Sequence, residues 1–293
     1  MIFNAVSPRV SIVLPFRNQG ALLSQACKSL QAQTVDAWEC ILVNDGSDSE
    51  AQKIAEAVAT RDGRFKLISI PHNDHFPGPW LARNVGLASA TSELIAFLDA
   101  DDLWHPRKLE RQLVLHSVHG IELSVTGYHR FEATSMKLVE TRRPPLTLNL
   151  KALLRGNPVP FSSVIIQRDC LTQPFHPERH EDYGLWLRLF TNDPPPRYGC
   201  LMEPLMAYRL HSASLSSQRG RSIFAVEKLF RHTFSAPSRR LMALTAWALE
   251  RAWRQTVAGV HRILWQDAKL PSPFIDYLAT GSQPYLDDHR STS

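Results

Sequence analysis

In "ELIAFLDADDLWHPRKLE" (residues 93–110), five apolar residues run directly into Asp99, Asp101 and Asp102, three carboxylates within four positions. Crowded carboxylates repel one another and resist losing their hydration. A chain that drives an apolar strand into such a knot needs something positive to meet it, most simply a divalent metal ion. Taken alone, the triplet also fits an acidic loop solvated beyond a strand. A strand-end acidic motif also opens the dehalogenase-type phosphatases, but that chemistry wants Thr or Val after the cluster's third position, where this chain has Asp102 and then Leu103. The surrounding sequence decides among these.

Upstream, strand-like and helix-like segments alternate. Val10–Leu14 is a short apolar run stopped by Pro15, and Glu39–Val43 is a second strand ending at Asn44-Asp45-Gly46-Ser47. Phe65–Ile70 is a third and Leu94–Leu98 a fourth. Ala21–Gln33, Gln52–Ala59 and Trp80–Ala90 have helical composition between them. This alternation predicts a mainly parallel sheet covered by helices on both faces. Ligands of such sheets gather beyond the C-terminal strand ends, where Asp45 and the Asp99–Asp102 cluster both fall.

Downstream the pattern changes. A helix is expected over His105–His119, with Asp102 as a candidate cap, and another over Glu181–Phe190. Ser124–Phe131, Lys137–Thr141, Phe161–Gln167 and Tyr198–Arg209 read as strands. Beyond residue 217 the strands stop. Ser222–Ser235 and Ser238–Ala268 read as helices, the second with Ala246, Leu249, Trp253, Val257, Val260 and Leu264 on one amphipathic stripe. Residues 1–216 are therefore expected to form one α/β domain and 217–293 a helical extension.

The 293 residues carry a net charge of +5, and residues 217–293 hold all of that excess. The four cysteines are scattered without CxxC spacing, which argues against a zinc site or a disulfide framework. No stretch approaches the roughly 18 apolar residues of a membrane-spanning helix, and the N-terminus lacks the basic start of a signal peptide. A cytoplasmic protein is expected.

Six stretches give the chain a more specific character: "VSIVLPFRN" (10–18), "SLQAQTVDAWECILVNDGSDS" (29–49), "ARNVG" (82–86), "FLDADDLWHPRKLE" (97–110), "HEDYGLWLRL" (180–189) and "YRLHSASLS" (208–216). Their order resembles that of the family 2 inverting glycosyltransferases, which have the GT-A fold, a Rossmann-like mainly parallel sheet flanked by helices. The resemblance covers nearly all of residues 8–216 and implies sugar transfer from a nucleotide-sugar donor, UDP-linked by default. The expected acceptor is a saccharide or lipid-linked saccharide, as in cell-surface polysaccharide assembly.

The resemblance also implies roles. Asp45 would accept a hydrogen bond from the nucleobase, and Pro15 would wall the base pocket. Asp101 would ligate Mg2+ or Mn2+, with Asp99 as its partner and His211 as a further candidate ligand. Arg83 could pair with the diphosphate or with the acidic cluster. Asp182, at a helix start whose dipole favours its ionised form, would be the general base, with Glu181 pointing elsewhere. Trp186 is expected in the core. Asn157 and Ser162-Ser163 are polar candidates for the acceptor.

The extension lies outside the resemblance. A cap on the catalytic domain or a dimer contact is expected of it. The alternative is a peripheral contact with the inner face of a membrane, because arginines are interleaved with Trp247, Trp253 and Trp265. Nucleic acid is not an expected partner. Two rival functions remain: a non-catalytic sugar-nucleotide-binding relative, and a phosphotransferase using Asp99.

Overall fold

The computed structural model describes residues 7–72, 78–178, 180–210, 222–264 and 269–275. The elements run β1 (Val10–Phe16), α1 (Gly20–Gln31), β2 (Trp38–Asp45), α2 (Ser49–Arg61), β3 (Phe65–Ile70), α3 (Trp80–Ser89) and β4 (Leu94–Phe97). Then follow β5 (Leu103–Trp104), α4 (Lys108–His119), β6 (Leu123–Glu132), β7 (Leu138–Arg142), α5 (Leu150–Leu153) and β8 (Val164–Gln167). The remaining described elements are α6 (Glu181–Thr191), β9 (Tyr198–Leu210), α7 (Ser222–Thr233), α8 (Pro237–Leu264) and α9 (Ser272–Ile275).

One sheet runs in the order β3-β2-β1-β4-β8-β6-β9-β5, with β7 added on β6. The first four strands are parallel, and β8 meets β4 antiparallel. Alternation along β1 and β4 divides the core. Ile12, Leu14, Ala96 and Leu98 pack towards α1, α2 and α4, whereas Val13, Ile95 and Phe97 pack towards α3 and α6. Gly86 lets α3 lie directly on β1 and β2, because a Cβ there would stand 2.4 Å from Val13 Cγ1. The parallel register brings the ends of β1 to β4 to one edge.

Several expectations need correction. β1 does not stop at Leu14; it continues through Pro15 to Phe16, with Pro15 opposite Val43. Val13 faces β4, where its carbonyl accepts from Leu98 N–H, and β4 pairing ends at that residue. Pro15 therefore turns its missing N–H to the side where the ladder has already finished, and costs no strand bond. Helix α4 begins at Lys108 without a side-chain cap, so Asp102 is not its cap. Residues 161–163 form a 3-10 turn ahead of β8.

In α8 the stripe read from the sequence is not the one that meets the core. Ala243 and Trp247 are buried, whereas Leu249 and Trp253 are exposed. The helix carries two apolar stripes, and periodicity does not say which one meets the core. The inner sides of α7 and α8 join the core beneath α6 through Val226, Leu229, Phe230 and Trp247. Residues 211–221, which hold His211 and the expected boundary near 217, lie outside the described residues.

Candidate active site

Three groups of polar residues meet at the C-terminal edge of the parallel strands. The first joins the turns after β1 and β2. Asn44 Oδ1 accepts from Ser47 N–H at 2.8 Å, Asn18 Oδ1 accepts from Asp48 N–H at 2.7 Å, and Asp48 caps α2 through Ala51 N–H. These bonds fix the backbone on both sides of Asp45. Asp45 Oδ1 lies 3.0 Å from His72 Nδ1, and Arg17 Nη1 lies 2.5 Å from His72 Nε2. Arginine can only donate, so in this contact His72 Nε2 is the acceptor. Gly46 adopts φ +61°, and a Cβ there would stand 2.8 Å from His72 Cβ. Pro15 is buried within β1 below this group, whereas Arg17 and Asn18 reach its exposed rim.

The second group is the acidic loop after β4. Asp102 is buried, and its carboxylate accepts from Ser162 Oγ–H at 2.6 Å and from Arg209 N–H at 3.3 Å. Ser162 Oγ accepts in turn from Asp99 N–H at 3.0 Å. Arg209 Nε donates to the Asp101 carbonyl at 2.8 Å, and Trp104 Nε1 donates to the Ser162 carbonyl at 2.7 Å. Ser162 and Ser163 are buried, so they shape this loop and are not placed to meet an acceptor. Asp101 remains half-buried.

Arg83 links the second group to the third. Its Nη2 donates to Asp99 Oδ1 at 2.6 Å, and its Nη1 donates to Glu181 at the start of α6. The guanidinium lies 4.3 Å above the Phe161 ring, and the side chain is buried. Of the two roles open to Arg83, pairing with the acidic cluster is the one its side chain is arranged for. Asn84 strengthens the same link, exchanging two hydrogen bonds with the Phe175 backbone. Beside Glu181, the half-buried Asp182 accepts from Asn157 Nδ2 at 2.7 Å, and Asn157 Oδ1 is itself held by Val159 N–H. Trp186 is fully buried against Phe161, in the core as expected.

Five carboxylates (Asp99, Asp101, Asp102, Glu181, Asp182) thus meet two guanidiniums (Arg83, Arg209). Burial pushes Glu181 up to about 8; Arg83 pulls the other way, and Asp182 and Asp99 add to the rise. Burial likewise raises Asp99 and Asp102, with Asp101 contributing to both. The cluster is short of positive charge. Among the described residues no three metal-ligating side chains converge on one point. Asp101 and Asp99 offer carboxylate oxygens, the donor type a hard cation takes.

Several of these residues escape sequence reasoning. Arg17 stands in the first quoted motif but carries no signal of its own. His72 lies just past a strand end, the one hint available. Asn157 and Ser162 stand out in the sequence only as polar candidates for the acceptor and Arg209 only as part of a quoted motif; what escapes is their role, which lies in contacts distant in sequence.

Comparison with known proteins gives the family and the fold. The model of Glycosyl transferase family 2 matches residues 11–168, and the chain belongs to that family. It is a glycosyltransferase with the GT-A fold. An uncharacterized glycosyltransferase of Haemophilus influenzae is 32% identical over 183 residues, 61% of this chain and 71% of that one. The UDP-Glc:alpha-D-GlcNAc-diphosphoundecaprenol beta-1,3-glucosyltransferase WfgD of Escherichia coli is 30% identical over 212 residues, 72% of this chain and 80% of that one. Among solved structures, S. aureus TarS 1-349 with UDP-GlcNAc superposes with a TM-score of 0.63 at 17% identity, covering 83% of this chain and 72% of that one. The family leaves no place for the phosphotransferase alternative.

Proposed function

We propose that this chain moves a sugar from a nucleotide-sugar donor to a hydroxyl of a saccharide or lipid-linked saccharide, with inversion at the anomeric carbon, in bacterial polysaccharide assembly. The observation that carries this function is the link through Arg83, which holds the acidic loop after β4 and the start of α6 against each other. Donor and acceptor chemistry need such a shared frame. The names of relatives support the substrate class. WfgD is a UDP-Glc glucosyltransferase acting on a diphosphoundecaprenol-linked sugar, AmsE is an amylovoran biosynthesis glycosyltransferase, and PcManGT has been solved with GDP-Man and Mn2+.

In this scheme Asp45, oriented by His72, accepts from a base N–H, and Pro15 supports the base pocket from below. A bound Mg2+ or Mn2+ would neutralise charge on the leaving diphosphate. Asp101 and Asp99 are the residues to hold it, and His211 is a further candidate. Asp182 accepts the proton of the acceptor hydroxyl as that oxygen attacks the anomeric carbon and the bond to the diphosphate breaks. Asn157 aims Asp182, and Glu181 stays behind it on Arg83. Residues 1–216 form the catalytic unit, working in the cytoplasm.

Calorimetric titration of UDP, dTDP and GDP with and without Mn2+, on wild type and Asp101→Ala, tests the scheme. Metal-dependent binding of one nucleotide, lost in the variant, is expected. Failure of every nucleotide to bind with metal present would overturn it.

A further inference from the structure

The outer side of α8 is apolar where it meets water. Leu241, Met242, Leu249 and Trp253 are between 66% and 72% exposed. At 100° per residue these positions share one face, and Thr245, Ala248 and Ala252, also exposed, fill the space between them without adding charge. The opposite side, with Ala243 and Trp247, is already spent in the core. Exposed apolar rows of this length mark an interaction surface.

Charge selects the occupant. Residues 222–253 hold five Lys+Arg against two Glu, and Lys228, Arg231 and Arg239 are exposed. A second copy docked face to face about a two-fold axis would set this positive excess against itself. A nucleic acid would answer the cations but leave the apolar row in water. A lipid surface with anionic headgroups satisfies both, taking leucine and tryptophan into its interface and the cations among its phosphates. No helix among the described residues is long and apolar enough to cross a membrane, so the contact is peripheral.

We infer that the outer face of α8 seats this protein on an anionic lipid surface. The position of the helix gives the contact a purpose. A Cβ on Gly156 would lie 3.9 Å from Trp247 Cδ1, and the next residue, Asn157, holds Asp182. The lipid-facing helix is thus packed behind the loop that aims the candidate base. If the transferase function holds, a lipid-linked acceptor would approach from the surface on which the protein rests. The docking itself does not depend on that function.

Flotation of the full chain with vesicles tests it. Vesicles of phosphatidylcholine with roughly one-third phosphatidylglycerol should carry the protein, and phosphatidylcholine alone should not. Leu249→Gln combined with Trp253→Gln should weaken anionic-vesicle binding by about tenfold or more, while Trp253→Phe retains most of it. Arg239→Gln should weaken binding several-fold and reduce its salt dependence. Transfer to a water-soluble acceptor, unchanged in the double variant, separates failure of docking from failure of the transferase function. Equal flotation of wild type and double variant would overturn the inference. So would a wild-type dimer in sedimentation velocity that the double variant dissolves without any vesicle binding by either.

Discussion

Glu39 and Glu181 are buried carboxylates at opposite ends of the same sheet, and the fold treats them in opposite ways. Glu39, near the N-terminal end of β2, accepts from Ser11 Oγ, Lys66 Nζ, and both the backbone N–H and the Oγ1 of Thr91, at 2.6–2.7 Å. Burial alone would raise it; the hydrogen bonds from Lys66, Ser11 and Thr91 together outweigh burial and hold it down to about 2. Glu181 has Arg83, which it shares with Asp99, and stands at about 8. Where a buried carboxylate serves only the fold, donors surround it. Where carboxylates outnumber their donors, as around Glu181, the cluster is left short of positive charge, the mark of a candidate site.

The sharpest way to break this contrast is Asp182→Asn. It should lower kcat by about a thousandfold while leaving the urea midpoint close to wild type. A variant with near-normal kcat would remove Asp182 from the chemistry. Next in size, Arg83→Met leaves the buried Glu181 and the half-buried Asp99 without their cation and should cost about 3 kcal/mol in urea denaturation. A fully stable Arg83→Met protein would mean that the two carboxylates need no shared partner.

The pH dependence of stability should run in opposite senses at the two ends. Glu39 is lowered in the fold, so its contribution is present above its unfolded value of about 4.3 and is lost as pH falls towards 2. Glu181 is raised, so the folded chain holds a proton that the unfolded chain lacks; its contribution is fully present at the low end and is lost as pH rises through 8. Urea midpoints across pH should show both slopes, with Glu39→Gln flattening the acid one and Glu181→Gln the alkaline one. Matching slopes in the two variants would erase the distinction. The smallest effect is expected of Asn157→Ala, about a tenfold loss of kcat with little change in donor KM. A loss confined to donor KM would put Asn157 on the donor side.

The frame that carries these carboxylates was legible in the sequence, the contrast between them was not, and the limits are physical. The strand and helix alternation exposed the parallel half of the sheet because each element is written locally in its apolar pattern. The acidic triplet and Asp45 stood out because strand ends and charge are local too. The donors that sort one carboxylate from another are not. Ser162 reaches Asp102 across 60 residues, and Asn157 reaches Asp182 across 25. Nothing near Ser162 separates a loop-shaping hydroxyl from one that meets substrate. Pro15 looked like a stop because its missing N–H matters only where a neighbouring strand is present, which is a property of the sheet. In α8 the composition held two apolar stripes, and only packing chose between them.

Arg209 belongs to β9, yet it grips the acidic loop after β4, donating from its backbone to Asp102 and from its guanidinium to the Asp101 carbonyl and Gln25. A nascent chain emerging from the ribosome therefore has the hold of Ser162 on its acidic loop but lacks this second clamp until β9 has been made and inserted beside β6. The parallel half of the fold can assemble well before that moment, but the cluster it presents would be only partly held. The order of synthesis thus withholds a finished site from an unfinished protein.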